Sequence, residues 1–511
     1  MRITGITLAL LCTVLGLGCG GGGGKGANTG GTNEGGKAVG APAAVAQKAL
    51  DQFNSALDAL NSHDKANDWN DQTCSDVAKQ FLAASSANDN GKFPESTYDA
   101  GLAYQRCGDD KDAKAQFQQA IQDDPKFHYA RAQLALYQYK ADGNVDAAIS
   151  ALEQAVADAN FQDVPALVDL AMFQMNRDST QVGANCTVTT GGKSVDLQDF
   201  DCAKRNLQRA LAIDDGYMPA FNQLALYYFG SAKKKAGGAG KKIGRTIATN
   251  AAMGKRGDTQ QLDLAALVCS QAVQKNASYA PIHNTSGLIL NELGQTNSAV
   301  KEFQTAAQLD PRFFEAQMNL AAINLSFRGF DKAEAAYRKA LEMHPNDYDA
   351  HLGLALALRG QINDSNYDNQ VSAVQSELDA CKKIDAARPD AYYNEGILTQ
   401  EYKVKSAGGT DKAIPIYQQA KTVFQTFIDK ANGKPEYDGA VKKSKERMQD
   451  IDDTVTFLQA GGPPNATPTP TPSPSDSSAA GAASAAPSGS AAPAAPAGSS
   501  SAAPAGSAPN P

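Results

Sequence analysis

Eight cysteines and five histidines are the residues of this 511-residue chain best suited to bind a metal, attack a substrate or exchange electrons. Their spacing argues against all three. His63, His128, His283, His344 and His351 form no HExxH pair, and no two cysteines stand as CxxC, so the pattern holds neither a zinc site nor a dithiol centre. No GxSxG nucleophile elbow occurs. The carboxylates are scattered as they are on solvated helix faces. Several histidines fall instead at equivalent places in a recurring unit, which points to packing or surface. The expectation is a protein with no catalytic residues, no metal and no cofactor.

That recurring unit dominates the chain. Gly101, Ala113, Phe117, Ala120 and Pro125 set a spacing repeated by Gly287, Ala299, Phe303, Ala306 and Pro311, and again by Ala321, Ala333, Tyr337, Ala340 and Pro345. The last two sets lie 34 residues apart, a period that marks stacked helix pairs. The small residue lets a first helix approach a second closely. The two alanines and the aromatic between them share one face of the second helix. The proline cannot continue that helix and sets the turn to the next unit. Weaker copies follow: Leu134-Ala135 with Ala148, Leu152 and Ala155, and Leu170-Ala171 with Ala203, Leu207 and Ala210. Leu224-Ala225 pairs with Ala265, Cys269 and Ala272, Leu354-Ala355 with Val374, Leu378 and Cys381, and Gly396 with Ala413, Tyr417 and Ala420. Val77, Phe81 and Ala84 end a degenerate copy.

The pattern resembles the tetratricopeptide repeat (TPR). The resemblance implies an all-α solenoid, a right-handed superhelix of helix-turn-helix units. Its expected organisation is a degenerate first repeat over residues 42–93, an array over 94–430 and a polar capping helix over 431–460.

The ends read differently. Residues 1–18 carry Arg2, an apolar run and small residues, the layout of a secretory signal. Leu15-Gly-Leu-Gly before Cys19 resembles a bacterial lipobox, although Gly16 stands where a larger aliphatic is usual. Cys19 is the expected lipidation site, against the alternative of an ordinary secreted chain cut nearby; Cys12 lacks the small residue cleavage needs. Gly20 after the cysteine favours, by analogy, the outer membrane with the chain facing the periplasm. Residues 19–41 are glycine-rich, a flexible tether spanning roughly 25 Å. Residues 461–511, almost wholly Pro, Ala, Ser, Gly and Thr, are expected to be disordered.

Charge is uneven. Residues 231–260 carry eight basic side chains, among them Lys233, Lys234, Lys235, Lys241 and Lys242, against Asp258; this net +7 sits in a chain of net charge −8. The run suits an anionic surface or acidic partner, or is a solvated insertion. Its Gly-Gly-Ala-Gly-Lys-Lys lacks the phosphate-loop spacing, and export disfavours nucleic acid. A second insertion sets Gly191-Gly192 between alternating Val and Thr residues, a hairpin signal. In an oxidising compartment Cys186 is expected to bridge to Cys202 and Cys74 to Cys107, with Cys269 and Cys381 left as buried thiols.

In TPR proteins the first helices line a concave groove that takes a peptide or partner helix. Counting the small Gly or Ala as position eight, positions five, nine and twelve face inward. Tyr139, Met172, Met175 and Phe229 then form an apolar strip, with Asn222 and Asn284 placed to bond a peptide backbone. The competing reading packs these side chains against neighbouring helices. The lysine/asparagine clamp of chaperone-binding members is not matched. The layout of lipobox, repeats and Pro/Ala/Ser tail resembles TPR lipoproteins of the myxobacterial adventurous gliding motility apparatus, which implies a periplasmic scaffold recruiting envelope proteins. Pilotin-like assembly of a type IV pilus secretin, and regulation of peptidoglycan hydrolases, are the alternatives.

Overall fold

A computed structural model describes residues 45–66, 68–178, 182–190, 193–235 and 259–461, together with a two-residue strand pair, β1 (Gly30–Gly31) and β2 (Val39–Gly40). The lipidation site at Cys19, most of the tether, Lys241, Lys242 and the tail lie outside the described residues. Among the described residues stand nineteen α-helices, and each packs on the next along the chain.

The helices pair. α1 (Gln47–Ala66) and α2 (Asp71–Ala87) form the first hairpin, α3 (Pro94–Arg106) and α4 (Asp110–Asp123) the second, and α5 (His128–Asp142) and α6 (Val145–Asp158) the third. α7 (Val164–Arg177) pairs with α8 (Asp199–Ile213) and α9 (Met218–Lys235) with α10 (Thr259–Lys275). α11 (Ala280–Glu292) pairs with α12 (Thr296–Leu309) and α13 (Phe314–Ser326) with α14 (Phe330–Met343). α15 (Tyr348–Gly360) pairs with α16 (Tyr367–Ile384) and α17 (Asp390–Glu401) with α18 (Thr410–Ala431), and α19 (Asp438–Gln459) packs against α18.

The repeated residues do what their sizes allow. Ala113, Ala120, Ala299, Ala306, Ala333 and Ala340 are wholly buried, and so are Phe117 and Phe303. A Cβ added to Gly101 would stand 2.5 Å from the Phe117 ring, and one on Gly287 2.6 Å from Phe303. The first helix therefore rests its backbone directly on the aromatic of the second, a contact only glycine permits. Pro125, Pro311 and Pro345 fall two residues past the ends of α4, α12 and α14.

One register differs from expectation. Gly396 was expected to meet Tyr417, but a Cβ there would lie 2.6 Å from Phe424. Tyr417 and Phe424 are seven residues apart, two helical turns, and so share a face of α18. A short 3₁₀ turn over Lys403–Ser406 and the length of α18 bring the later aromatic level with α17. Ala420, Phe424 and Phe427 are the true counterparts of Ala113, Phe117 and Ala120, and all three are wholly buried.

Candidate partner-binding face

The first helices α3, α5, α7, α9, α11, α13, α15 and α17 present the inward positions. The six side chains expected to line the groove are all buried there. Tyr139 is 5% exposed, Met172 7% and Met175 8%. The Tyr139 ring meets Phe173 edge-on at 4.7 Å, and its hydroxyl accepts from Asn176 Nδ2 at 3.1 Å. Phe229 lies under Lys233, whose Nζ is 4.4 Å from the ring centre. Asn222 accepts from Thr285 Oγ1 at 2.6 Å, and Asn284 accepts from Asn319 Nδ2 at 2.8 Å. These contacts join neighbouring units, so both asparagine oxygens already hold a donor.

A row the sequence reading passed over carries these bonds. Position six is polar in seven of eight units, with Asp99, Gln133, Asp169, Gln223, Thr285, Asn319 and Asn394 all buried. Gln105 Nε2 donates to Gln133 at 3.0 Å, and Arg359 donates to Asn394 at 3.1 Å. Buried amides satisfied by one another fix how adjacent units sit. The signal was available, because a polar residue recurs two places before seven of the eight small ones, but hydrophobic periodicity discards it. Burial, followed by repulsion from Asp163, pushes the Asp169 carboxyl up to about 7.

Position four supplies a second tie. Arg131, His283, Gln317, His351 and Tyr392 each donate to a carbonyl six residues earlier, at Pro125, Ala277, Pro311, Pro345 and Ala386. Each donor thereby pins the turn that connects its unit to the previous one. The histidines placed at equivalent positions belong to this tie.

The two insertions are held at their roots. Strands β3 (Val182–Thr190) and β4 (Lys193–Gln198) form an antiparallel ladder that pairs Val188 with Val195; Gly191-Gly192 lie outside the described residues. A disulfide joins Cys186 to Cys202, with Cα atoms 5.5 Å apart, and the buried Gln174 amide donates to Cys202 Sγ at 3.3 Å. Arg177 grips the buried Asp199 through two 2.7 Å hydrogen bonds where α8 begins. A second disulfide joins Cys74 of α2 to Cys107 past the end of α3, Cα atoms 6.3 Å apart. Cys269 and Cys381 are free and buried, and burial drives both thiols up, Cys381 to about 12.

Two of the five lysines expected to face an anionic surface are already engaged. Lys233 lies 3.7 Å from Glu292, and Lys234 pairs with Asp178 while its Nζ sits 3.5 Å from the Phe200 ring centre. The Lys235 side chain lies outside the described residues. Among the described residues, no group of three or more His, Cys, Asp and Glu could hold a metal ion, and no helix is long and apolar enough to cross a membrane.

Models of the tetratricopeptide repeat match residues 98–163, 280–313 and 324–391. The small glutamine-rich tetratricopeptide repeat-containing protein 2 of Mycosarcoma maydis is 26% identical over 106 residues, 21% of this chain and 30% of that protein. The uncharacterized protein ycf37 of Pyropia yezoensis is 33% identical over 79 residues, 16% of this chain and 44% of its own length. The chain thus spans less than half of either relative. Among solved structures, a thermophilic TPR protein of Thermus thermophilus is 26% identical with a TM-score of 0.34, over 45% of this chain and 99% of that one. YrrB, described as a TPR protein with an unusual peptide-binding site, is 15% identical with a TM-score of 0.31, over 42% of this chain and 91% of that one. Residues 98–163, 280–313 and 324–391 thus match the tetratricopeptide repeat, and the helix pairs between and beside them continue the same stack.

Proposed function

We propose that the protein is an envelope adaptor, tethered to the outer membrane through lipidated Cys19 and holding partner proteins on the concave face of its TPR array. TPR arrays generally act as scaffolds for protein–protein interaction, and this one occupies nearly all the described residues. The observation that carries the reading is the run of inward positions along the first helices. Position twelve is only half-buried at Gln105, Asn291, Leu325, Arg359 and Gln400, leaving polar and apolar surface for a partner chain on both sides of the buried central strip. Two disulfides support an oxidising compartment, in keeping with export. A motility complex of the cell envelope is the assembly that the layout favours.

The test is Cys19→Ser in the full chain, followed by membrane fractionation and crosslinking in intact cells. The variant should leave the membrane fraction, and the wild type should crosslink to envelope proteins. Recovery of cytoplasmic proteins alone would overturn the proposal.

A further inference from the structure

The glycine-rich stretch expected to be a plain tether holds a ladder, with Gly30 paired to Gly40 and Gly31 to Val39 in antiparallel register. A strand pair this short is at best marginal in water, because it repays little of the backbone entropy it fixes. It persists where a surface covers it. The surface here is the array itself, since β1 packs against α1 and β2 against α3. β2 runs almost directly into α1, but α3 begins at Pro94, so the second contact is tertiary and does not follow from chain continuity.

The choice of helices locates the pair. α1 and α3 are the first helices of consecutive units, and first helices line the concave side. Leu102 of α3, at inward position nine, agrees with that placement. It is 1% exposed, whereas the same position in the other units runs from 4% at Leu136 to 9% at Leu356. The composition suits close docking too. Gly30, Gly31 and Gly40 carry no Cβ, so the strand backbone can come up against a helix.

We propose that β1 and β2 are an intramolecular occupant of the concave face at its N-terminal end, and that a partner engaging α1 and α3 must displace them. The two helices belong to packed cores of the array and keep their fold when the strands leave. The strands have only their short ladder and the helix surface to hold them, so the occupant yields before the site does. The inference rests on the adaptor reading above and adds the regulation of its binding face.

The experiment uses the full mature chain. A photoreactive residue replaces Val39 in one version and Gly40 in another, because successive strand residues point to opposite faces. On irradiation at least one version should join to the tryptic fragment 93–106 of the same chain, which contains α3. Replacing Gly30, Gly31, Val39 and Gly40 together by proline removes every N–H of the ladder. That variant should keep the melting temperature of the array, while amide exchange in the rest of the 27–43 peptide quickens at least tenfold. In intact cells its photo-crosslinks from fragment 93–106 to envelope proteins should rise at least twofold. Absence of the crosslink to 93–106, its formation only between two copies, or exchange unchanged by the prolines overturns the proposal. A fall in melting temperature also overturns it, since the pair would then be part of the fold and not a displaceable occupant. If the intramolecular crosslink forms but partner capture is the same in both chains, the blocking role is wrong and the adaptor reading stands. If neither chain captures an envelope protein, the adaptor reading itself fails.

Discussion

His283 of α11 stands with Nδ1 2.8 Å from the Glu302 carboxylate of α12 and Nε2 2.9 Å from the carbonyl of Ala277. Two units on, His351 repeats the arrangement with Glu377 at 2.6 Å and Pro345 at 3.0 Å. Both ring nitrogens face acceptors, so the protonated ring satisfies both. The bond to Glu302 raises the His283 pKa, and the bond to Glu377 raises that of His351.

The sign of the pH dependence follows. A histidine whose folded pKa exceeds its unfolded value, about 6.5, contributes its full stability below that value and loses it as pH climbs through the folded pKa. His283→Ala and His351→Ala should each cost roughly 1.5–3 kcal/mol at pH 5.5. Urea midpoints measured from pH 5.5 to 9 should show the gap to wild type narrowing. A gap independent of pH would mean that the ties work uncharged.

Asp169 gives the same slope from an acid. Its folded pKa of about 7 lies above the unfolded value because burial disfavours the carboxylate. The proton it keeps stabilises the fold at low pH, and that contribution disappears as pH rises through 7. Asp169→Asn should match wild type near pH 4, gain on it as pH rises to 7, and exceed it at pH 8 by on the order of 4 kcal/mol. Equal stability at both pH values would show that Asp169 finds a compensating partner when ionised.

The fold was legible because the repeat is written in side-chain volume. Gly101 over Phe117, and Gly287 over Phe303, leave no room for other residue types, and such constraints survive in the sequence as fixed spacing. The stretched α17–α18 unit misled by two turns, since Tyr417 and Phe424 occupy equivalent places on one helical face and only the neighbouring helix selects between them. The candidate site was less legible. Inward pointing could be counted from the period, but whether Tyr139 or Phe229 remains open to a partner depends on how closely the next unit approaches.

The Gly287–Phe303 contact predicts overpacking. Gly287→Ala should lower the urea midpoint, with a cost of about 1–3 kcal/mol, and Phe303→Ala should cost about 3–5 kcal/mol. The double variant should lose less than the sum, because the smaller side chain makes room for the added methyl. Strict additivity would place the methyl's clash elsewhere.

The cysteines yield a count. Denatured but unreduced mature protein should show two reactive thiols, Cys269 and Cys381, where an unbridged chain would show six apart from Cys19. Replacing Cys186 and Cys202 together by serine should destabilise by about 3 kcal/mol, as expected for closing a loop of this size. Hydrogen exchange should then quicken first in β3, β4 and the start of α8, which that bridge and Arg177–Asp199 hold down.

Tyr139 allows packing to be separated from partner contact. Its ring is buried against Phe173, so Tyr139→Ala should cost about 3–5 kcal/mol, and lost binding in that variant would carry no information about a groove. Tyr139→Phe keeps the ring and removes only the acceptor of the Asn176 amide; it should cost about 1 kcal/mol. If the central strip only holds units together, Tyr139→Phe will crosslink the same proteins as wild type does, and Phe229→Leu, which keeps apolar volume, will do the same. A folded Tyr139→Phe chain that loses those crosslinks would put the hydroxyl in contact with the partner. The strip would then open when a partner arrives, and the burial of Met172 and Met175 would describe the unbound array alone.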